Sequence, residues 1–333
     1  MSRVTIKDVS REAGVSTATV SRVLNQSGYV SEEIIERVYA AVEKLNYYPN
    51  HVARSLKQDK TNTVGIIVPD ITNTYFMKIS KGIEDVIQPE GYNLIFCSGD
   101  ENPEKETELL QLLFEKRVDS IVLATSGKNT KQVKKIVQAG VPIILIDRKI
   151  EDDDLILDLL AEDNVKGGYG LTKYLLEQGH TRIGVVNGSL KVSTGFDRYV
   201  GFKKALNVYG LKEDPRLIFN GSFTEEDGRK AVDYFLSLPE NQKPSAMISF
   251  NNSMTFGLLI ELAKRNYRIP DDIVVASYGE VEAAQLLKPP GIITMKQSPY
   301  TIGTKTGQIL LKRLLTDSDE EPMCELLDPV LVT

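Results

Sequence analysis

The chain has 333 residues, of which 41% are apolar and 26% charged, with a formal net charge of -6. That length calls for two or three domains, and without a long uninterrupted apolar run a bilayer-spanning helix is excluded. Two distant cysteines, Cys97 and Cys324, fit a reducing cytoplasm better than a disulfide framework, and the N-terminus lacks the apolar core of a secretion signal.

In chain order, residues 5 to 24 predict two short amphipathic helices joined by a tight turn at Gly14. Thr5 is placed to cap the first helix, with Asp8 three residues on as an approximate capping box, and Ser16 to cap the second. Ile6, Val9 and Ala13 recur at helical spacing on one helix, and Val20, Val23 and Leu24 give the other its buried side. The opposite side of the second helix carries Thr17, Ala18, Thr19, Ser21 and Arg22, small polar groups and one long cation that fit a major groove. This is a helix-turn-helix pattern, with Arg22 the expected guanine reader. A third capped helix over residues 31 to 45 closes a three-helix core, and Tyr48-Pro49-Asn50 is expected to stop it.

From Thr63 onward, β-branched runs alternate with helical patterns. Buried parallel strands are expected at 64–68, 93–97, 120–124 and 142–146, with helices such as 104–116 and 130–139 as right-handed crossovers. A second series places strands at 182–186, 246–250 and 273–276, and helices at 165–178, 200–209, 224–236 and 254–265. The fold expected is therefore an all-α headpiece followed by two doubly wound α/β halves, with a ligand crevice at the carboxyl ends of the strands.

No catalytic constellation emerges. His51 and His180 are the only histidines, and neither has metal-ligand spacing with a cysteine, so neither an enzyme nor a bound cofactor is expected. Gly167-Gly-Tyr-Gly170 and Asn187-Gly-Ser189 lack the spacing of a nucleotide fingerprint. Charge divides unevenly: residues 1 to 60 carry nine Lys/Arg and seven Asp/Glu, leaving the remainder at -8. The larger part should repel phosphate, and a headpiece of only +2 needs a second copy and uncharged phosphate contacts for affinity.

The runs Val4-Thr-Ile-Lys-Asp-Val9, Gly14-Val-Ser16, Ala18-Thr-Val-Ser-Arg-Val-Leu-Asn25, Tyr48-Pro-Asn50 and Ala53-Arg-Ser-Leu56 resemble the LacI/GalR family of bacterial transcription regulators, and the likeness extends along essentially the whole chain. The resemblance implies a headpiece over 1–49, a hinge over 50–60 and an effector domain over 61–333 of the periplasmic-binding-protein type I fold. Its three crossovers imply one subdomain from about 61–161 and 290–320 and another from about 162–289 and 321–333. It implies DNA contacts from Thr5, Ser16, Thr17, Ala18, Thr19, Ser21, Arg22, Asn25, Asn50, Ala53, Arg54 and Leu56, with Leu56 wedged into a minor-groove step. The partners implied are double-stranded operator DNA, a second copy of the chain and a small sugar-like effector.

For the effector, the family pattern points to Asn73, Tyr75 and Phe76 in a loop over 69–76, then Asp147, Arg148, Arg198, Phe223, Asn251 and Gln297. Gly279 stands where many members carry a sugar-binding carboxylate. Losing that anion beside Arg148 and Arg198 should tilt the pocket positive and favour an acidic or phosphorylated sugar; Glu280 or Glu282 swinging in would favour an amino sugar instead. A solute-binding protein, or a regulator governed by a protein partner, are the rival readings.

Overall fold

The computed structural model describes residues 4–48, 60–289, 291–316 and 320–333. The chain divides into two compact units, residues 1–61 and 62–333. In the first, helices α1 (Ile6–Ala13), α2 (Thr17–Leu24) and α3 (Glu32–Lys44) surround a core of Val9, Ala13, Val20, Val23, Val38, Ala41 and Tyr47. The Asp8 carboxylate accepts from both the Thr5 N–H at 2.9 Å and the Thr5 hydroxyl at 2.7 Å, which holds the start of α1. Gly14 takes the left-handed conformation at φ 65° that ends this helix, and Arg37 seals the turn by donating to the Ala13 carbonyl at 2.6 Å. Helix α3 stops at Lys44, earlier than the Tyr48-Pro49 signal, with Asn46 turning left-handed at φ 50°.

The second unit contains two six-stranded sheets. The first has β1 (Thr63–Val68), β2 (Asn93–Ser98), β3 (Ser120–Leu123), β4 (Ile143–Ile146), β5 (Asp158–Glu162) and β11 (Cys324–Leu327), in the order 2-1-3-4-5-11 and all parallel. The second has β6 (Ile183–Asn187), β7 (Ile218–Asn220), β8 (Ala246–Ser249), β9 (Val274–Tyr278), β10 (Ile293–Lys296) and β12 (Val330–Val332), in the order 7-6-8-9-10-12, with only β12 antiparallel. Four central strands, β1, β3, β4 and β8, are buried or nearly so along their length, so each sheet is covered on both faces by helices.

On the first sheet, α4 (Thr74–Ile87) and α11 (Pro299–Leu315) cover one face and α5 (Pro103–Glu115) with α6 (Thr130–Gln138) the other. On the second, α7 (Asn164–Glu177) and α8 (Ser193–Val208) oppose α9 (Glu225–Leu236) and α10 (Asn252–Lys264). The Gly167–Gly170 run is helical and serves packing: a Cβ on Gly168 would lie 2.2 Å from the Arg198 carbonyl oxygen of α8.

Two expected boundaries move. Strand β10, placed by sequence in the first subdomain with 290–320, pairs with β9 in the second, and β11, placed with 321–333 in the second, pairs with β5 in the first. The crossovers therefore follow Glu162, lie near Gln297 and Ser298, and near Asp328. The segment 69–76 is not wholly a loop either, because Asn73 caps α4 by accepting the Tyr75 N–H at 3.0 Å. Tyr75 and Phe76 thus stand on the first turn of a helix.

Candidate effector crevice and DNA-reading helix

Helix α2 turns Val20 and Val23 inward and leaves Thr17, Ala18 and Arg22 exposed, with Ser21 and Thr19 half-exposed. Ser16 caps it by accepting the Thr19 N–H at 3.1 Å, and Asn25 donates to the Ser21 hydroxyl at 3.1 Å. Thr5 is exposed at the start of α1. The outer side of α2 therefore offers hydroxyls, an amide and one guanidinium without apolar bulk, as a major-groove reader needs. Asn50, Ala53, Arg54 and Leu56 lie outside the described residues.

Between the two lobes of the second unit lies a crevice of about 680 Å³. Nine of the ten expected effector residues line it: Asn73, Tyr75, Phe76, Asp147, Arg148, Arg198, Phe223, Asn251 and Gln297. Gly279 does not. It lines a separate void of about 20 Å³ beside Glu280 and Gln297, and Tyr278 occupies the crevice wall in its place. A side chain at Gly279 is disfavoured locally, since its φ is 94° and a Cβ would meet Gln297 Oε1 at 3.0 Å.

The backbone around the crevice is constrained. Asp100, Glu101, Asp147 and Phe223 all line it and all have left-handed φ, between 52° and 68°. Such conformations cost energy for residues with a Cβ and gather at functional sites. Phe223 owes its place to Gly188, where a Cβ would lie 1.9 Å from the ring. Arg148 then stacks 5.3 Å from the Phe223 centroid.

Both arginines are held by acceptors of the protein itself, Arg148 by a carboxylate and Arg198 by neutral oxygens. Arg148, 3% exposed, makes a bidentate pair with Glu101, one contact at 2.8 Å, and reaches the Thr125 carbonyl at 3.3 Å. Burial alone would lower its pKa, and Glu101 together with Asp147 and Glu106 more than offsets this, so the guanidinium stays charged. Arg198, 5% exposed, gives Nε to Asn164 Oδ1 and Nη1 to the Phe250 carbonyl, both at 2.7 Å, and lies 4.0 Å from the Tyr278 centroid. Five carboxylates, Asp70, Asp100, Glu101, Asp147 and Glu225, line the crevice against these two cations. The positive tilt expected from the absent carboxylate at Gly279 is not present, because Glu101, in the turn after β2, supplies a carboxylate from the opposite lobe.

Several buried polar atoms on the crevice wall lack a hydrogen-bond partner: Tyr75 Oη, Asp147 Oδ1, Arg148 Nε, Tyr278 Oη and Gln297 Nε2. Burial pushes the Tyr75 and Tyr278 phenols well above their ordinary pKa, with Asp147 and Glu162 adding to it, so both are O–H donors at neutral pH. Across the mouth, Asn73 and Asn252 exchange two hydrogen bonds, each 3.0 Å. Sequence reasoning missed Glu101, Tyr278 and Asn252 as contributors.

Among the described residues no cluster of His, Cys, Asp or Glu could hold a metal, and no helix is long and apolar enough to cross a membrane.

Residues 5–50 match the model of bacterial regulatory proteins of the lacI family, and residues 61–320 match that of periplasmic binding proteins and the sugar-binding domain of the LacI family. The chain belongs to the LacI family. It is 36% identical over 330 residues to the HTH-type transcriptional repressor PurR of Vibrio atlanticus, covering 98% of this chain and 97% of that protein. It is also 36% identical to the transcriptional regulator RegA of Clostridium saccharobutylicum, covering 95% and 94% respectively. Among solved structures, a complex of the transcriptional regulator CelR with cellobiose superimposes with a TM-score of 0.73 at 26% identity, over 99% of both chains. The molecule is thus a DNA-binding transcription regulator rather than an enzyme, with its effector crevice between two lobes.

Proposed function

We propose that the crevice takes a neutral, hydroxyl-rich ring, and that its occupancy sets the angle between the lobes and hence the spacing of two headpieces on a pseudopalindromic operator. The regulator acts as a cytoplasmic homodimer, since one headpiece of this size and charge buries too little surface for operator affinity. The observation that carries the reading is the set of unpartnered buried atoms on Tyr75, Asp147, Tyr278 and Gln297. Unmet buried donors and acceptors cost about 1–3 kcal/mol each, and a ligand bearing several hydroxyls meets both kinds.

Phe76, Phe223 and Tyr278 supply the apolar walls against which a sugar ring packs. The pairing of Arg148 with Glu101, in a crevice that five carboxylates line, supports a neutral ligand over an acidic or phosphorylated one. The cellobiose of the CelR complex belongs to the same neutral class. Coupling to DNA follows from population shift between two lobe arrangements.

Isothermal titration of the full chain with glucose, ribose, cellobiose, glucosamine, glucose 6-phosphate and glucuronate tests this. A neutral member should bind most tightly; binding confined to the phosphate or the acid overturns the assignment.

A further inference from the structure

Glu162 ends the first crossover strand and is 1% exposed. Its Oε1 accepts the Ser298 N–H at 2.6 Å, which ties the first crossover to the second. Its Oε2 has no hydrogen-bond partner. The charged and titratable groups around it come from both lobes: Asp147 after β4, Arg198 on α8, Asp328 at the third crossover, and the Tyr75 and Tyr278 phenols that it perturbs. Asp328 is itself paired with Lys166 at 2.5 Å.

The cation in this group, Arg198, gives its Nε and one terminal nitrogen to neutral oxygens. Asp147, meanwhile, leaves Oδ1 unpartnered. The buried Glu162 carboxyl therefore keeps an idle oxygen in the field of a second buried carboxylate, Asp147, and this arrangement favours a proton on Glu162. We propose that Glu162 is a proton-binding site at the lobe crossovers, so that closing the crevice takes up a proton and opening it releases one. Burial and the Asp147 charge push the Glu162 carboxyl up to about 7, within the range a cell can vary. Opening admits water to the junction and returns the group toward an ordinary glutamate.

This inference concerns regulation of the crevice assigned above to the effector, and its test needs no effector, so either can fail alone. Hydrogen exchange is followed at Ser298 and its neighbours in the full-length chain, corrected for intrinsic pH dependence. If the closed-state carboxyl titrates about 7 and the open one near the ordinary value of about 4.5, protection falls about tenfold between about pH 6 and about pH 8. Glu162→Gln keeps the acceptor for Ser298 and mimics the protonated form, so its protection should be independent of pH and match the wild type at the lower value. Asp147→Asn removes the like charge and should move the wild-type transition to lower pH. A flat wild-type profile, or the same slope in Glu162→Gln, overturns the proposal.

Discussion

The side-chain amides of Asn73 and Asn252 face each other across the crevice and are mutually donor and acceptor, each bond 3.0 Å long. Asn73 belongs to the first lobe, where its oxygen also caps α4, and Asn252 opens α10 of the second. Closing the lobes therefore joins two helix starts through one pair of amides. Asn252→Ala removes both bonds and leaves the α4 cap intact. At about 1 kcal/mol net for each bond, affinity for a sugar that wild type binds should fall roughly ten- to thirty-fold, with little change in thermal unfolding. Titration calorimetry beside thermal melts checks this, and unchanged affinity would show that the closed arrangement owes nothing to the pair.

Glu101 sets the charge of the crevice through Arg148. Replacing it with Gln leaves a buried guanidinium whose remaining anionic neighbours are Asp147, at 3.7 Å, and Glu106. Breaking one side of a buried pair costs about 3 kcal/mol or more, so the unfolding midpoint should drop by several degrees. The freed guanidinium should also admit glucose 6-phosphate or glucuronate where wild type does not. Gain of anion binding in Glu101→Gln, read by calorimetry, would confirm that carboxylate as the reason for neutral selectivity.

Much of this was legible in the residues. Strands β1, β3 and β4 are rich in Val, Ile and Leu and flanked by turn signals, as strands buried on both faces must be. Strand β5 was not legible: Asp158-Leu-Leu-Ala-Glu162 begins and ends on a carboxylate and has no β-branched residue, and its Asp158 is there to hold Arg313 at 2.9 Å. Strands β10 and β11 are short, and β11 joins the first sheet beside β5, a partner more than a hundred residues away. Nine crevice residues followed from the family pattern. The pairing of Glu101 with Arg148 could not, since it links loops after two different strands.

Glu162 also gives the stability a pH dependence of known sign. Its folded value of about 7 lies above the ordinary 4.5. The group thus favours folding fully below about pH 4.5, and that contribution is lost as pH rises through about 7, about 3 kcal/mol in all. Glu162→Gln, which cannot ionise, should melt higher than wild type above about pH 7 and similarly to it below about pH 5. Melting curves across that range decide it, and parallel curves for the two proteins would place the carboxyl near its ordinary value.

In the headpiece, Arg22 lies exposed on the outer face of α2 while Val20 and Val23 beside it are wholly or almost wholly buried. Its guanidinium makes no contact needed by the three-helix core, which rests on apolar packing and on the Arg37 bond to Ala13. Arg22→Ala should therefore leave the melting of the protein unchanged. If it reads a guanine edge, operator binding weakens by about 1–3 kcal/mol and the preference at one base position of each half-site relaxes. A contact to phosphate alone would instead weaken all sequences uniformly and reduce the salt slope by about one. Competition of operator variants at several salt concentrations separates the two, and only the first fits a base-reading role for this side of the helix.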